Sequence, residues 1–103
     1  MSDTIVSTAS VATERGERYG KQLVSHLGRK SVGVWDEASG SGTLDMGDSA
    51  AHVTLKSATD ALVITVEAAD TDIAAYQDVV GRHLERFGER DGLRVHWVRS
   101  DAK

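Results

Sequence analysis

Two neighbouring segments near the middle of the chain alternate in polarity, and this alternation constrains the fold more than any other feature. Ala51, Val53 and Leu55 alternate with polar residues, and residues 62–68 repeat the alternation after a turn at residues 58–60. Successive side chains of a strand point to opposite faces of a sheet, so each segment is predicted to be a strand with one buried face. Because the connection between them is short, the two strands are expected to pair antiparallel.

Two other segments carry apolar residues at every third or fourth position, which is the period of a helix that packs by one face. The first helix is predicted to run from an N-cap at Thr13 to about Leu27. The second follows Asp70 and Asp72, whose negative charges suit the positive end of a helix. Its predicted buried stripe consists of Ile73, Tyr76, Val80, His83, Leu84 and Phe87.

The remaining order of elements follows from shorter signals. Residues 5–13, 32–35, 43–46 and 93–97 are predicted strands, residues 36–42 a flexible connection, and residues 99–103 a frayed tail. The order is therefore β-α-β-β-β-β-α-β, in a single α+β domain over residues 1–103. Since each strand has a polar face, both helices are expected on one face of an antiparallel sheet.

Composition argues against several classes of function. The chain has 103 residues, a formal net charge of −4 and no Cys or Pro. The negative charge disfavours nucleic acid and anionic membranes as partners. The lack of Cys excludes disulfides, thiolate metal sites and Cys nucleophiles. The first residues carry no signal-peptide pattern and no apolar run reaches the roughly 18 residues of a membrane span, so a cytoplasmic location is expected.

The polar face of the predicted sheet is the first candidate binding surface. Alternate positions of a strand lie on the same face of a sheet. By this alternation the polar face is predicted to carry Trp35, His52 and His96 together with polar residues such as Thr54, whereas Trp97 is predicted to lie on the buried face. An exposed Trp among polar groups indicates a binding platform or a dimer contact. The alternative is that Trp35 only covers an edge of the sheet.

The helix histidines form the second candidate. Tyr19 and His26 recur at the same spacing as Tyr76 and His83, through either an ancient duplication or the shared needs of two core-facing helices. Both histidines are predicted to be at least partly buried, and their rings converge if the helices pack side by side. One His per helix is not a metal-ligand spacing, so structural histidines bonded to neighbours are favoured. No metal site and no cofactor are predicted.

Charged residues complete the candidates. Acidic residues around the third strand lack the spacing of a calcium loop. Basic residues follow one side of each helix and are predicted to be solvated, with a small acidic ligand as the alternative. These basic residues are Arg15, Arg18, Lys21, Arg82, Arg86 and Arg90.

Three segments together carry a family resemblance: residues 17–27, residues 82–87 and residues 93–97. In order and spacing they resemble the bacterial domain-of-unknown-function family 2218, over the chain from about Thr8 to Trp97. The resemblance implies a stand-alone domain whose relatives are often encoded beside, or fused to, siderophore-interacting flavin-dependent ferric reductases.

The chain departs from the family pattern at three positions. The family often has Pro where Gly16 stands, a large apolar residue where Gly20 stands and a second His where Arg29 stands. The missing His lowers the expectation of a metal site here.

The leading functional hypothesis is a small accessory domain in siderophore-mediated iron handling that binds rather than catalyses. Its partner would be a ferric-siderophore reductase or a small acidic ligand. The alternatives are a small acid–base enzyme that uses His52 or His96, and a structural homodimerising domain. The sequence identifies neither the ligand nor a reaction.

Overall fold

The alternating segments become adjacent strands of one antiparallel sheet. The structure is a computed structural model that describes residues 4–27, 32–47 and 50–101. Within these residues the sheet has six strands in the spatial order β2-β3-β4-β5-β1-β6. The strands are β1 (Thr4–Ala12), β2 (Val32–Asp36), β3 (Ser41–Met46), β4 (Ala51–Ser57), β5 (Ala61–Ala69) and β6 (Val98–Asp101).

Two amphipathic helices cover one face of the sheet. Helix α1 (Gly16–Leu27) packs against β2 to β5, and helix α2 (Ile73–Phe87) packs against β5 and β1. A short 3-10 turn (Glu89–Asp91) follows α2. Each helix buries a stripe at helical spacing, as the sequence predicts. Of the predicted α2 stripe, however, Tyr76, His83 and Phe87 are only half-buried, and Gln77 is buried instead. The predicted α+β class and the predicted order of strands and helices are confirmed.

The core lies between the helices and the inward residues of the strands. Leu44, Val53 and Val66 are direct neighbours across β3, β4 and β5, and all three are fully buried. The residues that flank each of them in its strand, such as Thr54, point away from the helices and are exposed or half-buried. This one-sided burial fixes the register of the strands, because a shift by one residue would expose all of the inward-facing apolar side chains.

The ends of two predicted elements differ from the structure. Helix α1 begins at Gly16, because the Thr13 hydroxyl accepts a hydrogen bond from the backbone N–H of Arg15 at 3.0 Å in a turn before the helix. The predicted connection over residues 36–42 is too long. The Asp36 carboxylate accepts a hydrogen bond from the backbone N–H of Ala38 at 3.0 Å, in a tight turn that allows β3 to begin at Ser41.

The prediction of a last strand at residues 93–97 is wrong, and so is the prediction of a frayed tail over residues 99–101, while residues 102–103 lie outside the described residues. Residues 93–97 form an extended segment outside the sheet, and β6 pairs with β1 over Val98–Asp101. The inward residues of residues 93–97 pack on α2, and the Glu85 carboxylate accepts a hydrogen bond from the backbone N–H of Val95 at 3.0 Å. Their alternation therefore reflects packing against a helix.

Candidate binding surfaces

The face of the sheet opposite the helices carries a row of threonines across its width. In each pairing one residue of the row stands directly opposite the next. In spatial order the residues are Val34, Thr43, Thr54, Thr65, Thr8 and Val98, and we call them the threonine row. Val34 is 60% exposed and Val98 is 72% exposed, although both are apolar. The row therefore joins four short hydroxyl side chains to an exposed apolar residue on each edge strand.

A second row on the same face carries charge. Asp45, His52 and Glu67 are register neighbours on β3, β4 and β5. Nδ1 of His52 lies 2.6 Å from Oδ1 of Asp45, and each side chain is a little under half exposed. His52 thus lies on the open face, as parity predicts, with a carboxylate that orients its ring.

The prediction that Trp35 lies on the open face is wrong. Val34 stands opposite Thr43 on that face, so Trp35 points toward the helices. Its ring fills the space between α1 and β3: a Cβ atom added to Gly20 would lie 2.7 Å from Cη2 of Trp35, and one added to Gly42 would lie 2.6 Å from Cε3. The indole Nε1 is buried and has no hydrogen-bond partner among the described residues. Trp35 is thus a packing residue at the rim of the core.

His96 and Trp97 also differ from their predicted places. Both belong to the extended segment 93–97, so His96 is exposed but does not lie on a strand of the sheet. Trp97 is only half-buried and packs against the core beside Gly81 of α2. The structure therefore does not unite Trp35, His52 and His96 on one surface.

The helix histidines do converge. The ring centroids of His26 on α1 and His83 on α2 lie 5.0 Å apart, with the rings tilted by 45°. Phe87 closes the cluster, with its centroid 5.4 Å from that of His26 and 6.2 Å from that of His83. We call these three residues the imidazole cluster. It bridges the two helices on the outer side of the helical layer.

Burial differs between the two histidines. His83 is half-buried, as predicted, but the predicted burial of His26 is wrong. The buried stripe of α1 passes through Tyr19, Leu23 and Val24, so His26 lies on the flank of the helix. One ring of the cluster is therefore held against the protein, and the other is open to solvent.

Several of the basic residues are engaged in ion pairs. Arg15 lies 3.6 Å from the Asp91 carboxylate, which also accepts a hydrogen bond from the hydroxyl of Tyr19. That hydrogen bond, together with burial, raises the pKa of Tyr19 above its ordinary value. Lys21 and Glu37 form an exposed pair whose hydrogen bond raises the pKa of Lys21 and lowers that of Glu37. These contacts leave less free positive charge for an acidic ligand than the sequence indicates.

Two further observations bear on the class of protein. Within the residues that the structure describes, no group of three or more His, Asp or Glu side chains is placed to hold a metal ion. Neither described helix is long and apolar enough to cross a membrane.

The geometry defines a small α+β domain with one sheet face covered by helices and one left open. The sequence profile of a family described as an uncharacterized protein conserved in bacteria (DUF2218) matches residues 8–98, and the chain belongs to this family. The fold is similar to the NMR structure of PA4090 from Pseudomonas aeruginosa, with a TM-score of 0.68 and 30% identity. The similarity covers 91% of this chain and 95% of that one. No curated protein matches the chain.

Proposed function

We propose that the chain is a non-catalytic binding domain that contacts a partner protein through the threonine row and the residues beside it. The partner class is a siderophore-linked ferric reductase, which the family resemblance suggests. The proposal assigns both proteins to the cytoplasm, a reducing compartment that suits a chain without Cys.

The observation that carries this proposal is the exposure of apolar side chains on a face that the described helices leave uncovered. Val34 and Val98 are the two large apolar residues that the described part of the chain exposes most, and both belong to the threonine row. A protein partner that covers the row would remove them from water, and each fully buried Val side chain contributes about 1.5 kcal/mol or more. The short threonines between them let a partner approach the sheet closely.

Support for an acid–base enzyme is weaker. His52 has a carboxylate neighbour that orients its ring, as a general base often does. However, both side chains are nearly half exposed, and His96 belongs to a segment outside the sheet. The contact between His52 and Asp45 serves equally well to place one charged patch beside the threonine row.

A binding assay tests the proposal with a matched pair of charge-adding variants. Thr54→Arg places a large charged side chain at the centre of the threonine row, and Gln22→Arg places the same side chain on the exposed side of α1. Affinity for a siderophore-interacting ferric reductase, of the class that relatives are often encoded beside, is measured by calorimetry. We expect Thr54→Arg to weaken binding by about tenfold or more, because centrally placed interface residues dominate affinity. We expect Gln22→Arg to bind like the unmodified domain.

Two outcomes contradict the proposal. Equal affinity in both variants would show that the open face is not the binding surface. No binding to the reductase, together with self-association that Thr54→Arg abolishes in sedimentation equilibrium, would show that the partner is a second copy of the chain. That outcome would support the homodimer alternative.

A further inference from the structure

We propose that His26 and His83 form a two-histidine site for a first-row divalent transition-metal ion such as Zn²⁺ or Ni²⁺. The site lies on the outer side of the helical layer, away from the threonine row. It goes beyond the proposed function and does not depend on it.

The spacing of the two rings is the first argument. A zinc–nitrogen bond is about 2.0–2.1 Å long, which places the centroid of a bound imidazole about 3.2 Å from the ion. Two imidazoles at a tetrahedral angle then have centroids about 5.2 Å apart. The observed separation of 5.0 Å is close to this value. The two rings are therefore far enough apart, and close enough, for one ion to lie between them once a nitrogen of each ring faces it.

The hydrogen bond of His83 is the second argument. Its Nδ1 lies 2.7 Å from the backbone carbonyl oxygen of Val79, one turn earlier in α2. A carbonyl oxygen only accepts, so Nδ1 carries the proton and the neutral ring keeps its lone pair on Nε2. A backbone carbonyl that holds the non-ligating nitrogen is the usual outer-shell partner of a metal-binding histidine.

The surroundings of the rings define the class of ion. His26 is exposed on α1, so its ring can rotate toward His83 without disturbing the core. Phe87 packs near both rings and supplies no oxygen ligand. Imidazole nitrogens suit zinc, nickel and copper, whereas calcium and magnesium need oxygen ligands. Since the protein supplies only two ligands, water molecules complete the coordination of the ion. Copper should bind more tightly than nickel or zinc.

The chain supplies a matched control. His52 also has a possible metal ligand beside it, because its Nδ1 is 2.6 Å from the carboxylate oxygen Oδ1 of Asp45. A metal ion that prefers a His–carboxylate pair would bind there, on the opposite side of the molecule. His52→Gln therefore separates the proposed site from this competing one.

The test is a titration of the metal-free domain with zinc chloride, followed by calorimetry and by NMR of the imidazole carbons. We expect one ion per chain, with shifts confined to His26 and His83. His26→Gln and His83→Gln should each weaken binding by about 10- to 100-fold or more, since losing even the outer-shell partner of a ligand has that effect. His52→Gln should bind zinc like the unmodified domain. Because His26 is exposed, His26→Gln decides the question even if His83→Gln is poorly folded.

The proposal is overturned if zinc causes neither heat nor shifts up to millimolar concentration. It is also overturned if His26→Gln leaves the affinity unchanged, or if His52→Gln alone abolishes binding. The titration contains no reductase, so its failure leaves the proposed function standing. In the same way, a failed reductase assay leaves the metal site standing.

Discussion

Replacing Gly20 by Ala tests whether Trp35 packs where the structure places it. In an ordinary helix interior this change stabilises by about 0.5–1 kcal/mol. Here the new Cβ atom would lie 2.7 Å from Cη2 and Cζ3 of Trp35 and 3.3 Å from Cδ1 of Leu62. Overpacking of this kind costs about 1–3 kcal/mol. The net expectation is a loss of about 1 kcal/mol, or roughly 4–8 °C in the midpoint of thermal unfolding for a domain of this size.

The sign of the effect should depend on the indole. In a Trp35→Val background the space beside α1 is empty, so Gly20→Ala should stabilise by about 0.5–1 kcal/mol. The coupling between positions 20 and 35 should then be about 1–3 kcal/mol in a double-mutant cycle measured by urea unfolding.

Gly42→Ala supplies the control for this cycle. Its added Cβ would lie 2.6 Å from Cε3 of Trp35 but also 2.8 Å from the backbone oxygen of Val34. The backbone contact remains after Trp35→Val, so Gly42→Ala should destabilise in both backgrounds. Additive effects of Gly20→Ala and Trp35→Val, or a stabilising Gly20→Ala in the unmodified chain, would refute this packing.

Three further predictions concern two side-chain hydrogen-bond groups and the stability of the core. The hydrogen bond to Asp91 raises the pKa of Tyr19 in the folded protein above the ordinary value of 10.0. The contribution of this hydrogen bond to the free energy of unfolding is therefore complete below pH 10.0, and it is lost as the pH rises through the pKa of the folded state. Tyr19→Phe should therefore cost about 1 kcal/mol at neutral pH and remove that alkaline loss from the pH profile of urea unfolding. Gln77 is buried, donates to Ser7 and accepts from Arg99 at 2.7 Å, so Gln77→Leu should cost about 1–3 kcal/mol. Adding Ser7→Ala should restore part of that loss in urea unfolding, whereas a further loss would contradict the hydrogen bond. The core contains no metal ligands among its described residues, so the domain should stay folded in a strong chelator and lose only the stabilisation that an ion bound at His26 and His83 adds. Loss of the cooperative thermal transition on chelation would contradict this.

Much of the fold is encoded in local periodicity. The predicted alternation of residues 51–55 and 62–68 falls within β4 and β5, and the predicted stripe of α2 starts and ends at its observed limits. These segments are long enough to repeat their period several times, and each packs against the core by one face along its length. For such segments the sequence indicates both the type of element and its buried face.

Strand β2 shows why the prediction for Trp35 failed. Its residues Val32, Val34 and Trp35 suggest that the valines are buried, because β-branched residues are common on buried strand faces. The residues of β2 that face the helices are Gly33 and Trp35. Because glycine has no side chain, Gly33 does not reveal in the sequence which face is buried. The indole of Trp35 fills the space that a side chain at position 20 would occupy.

The end of the chain shows a second limit of local patterns. An extended segment alternates in the same way whether it packs on a sheet or on a helix, so residues 93–97 imitate a strand. The true edge strand, β6, has a weak apolar pattern because Arg99 reaches inward to Gln77. The threonine row was not predicted, because Val98 falls outside the predicted strand and the predicted outward face of β2 carried Trp35 instead of Val34.

Cross-saturation of methyl groups by the bound reductase tests the proposed binding surface most directly. The domain is labelled at Thr and Val methyl groups, and the reductase is irradiated in the complex. We expect intensity loss at the threonine row, strongest for Thr54 and Thr65 at its centre, and none at Val79 on α2. Saturation confined to Val79 and the helical layer, with the threonine row unaffected, would contradict it.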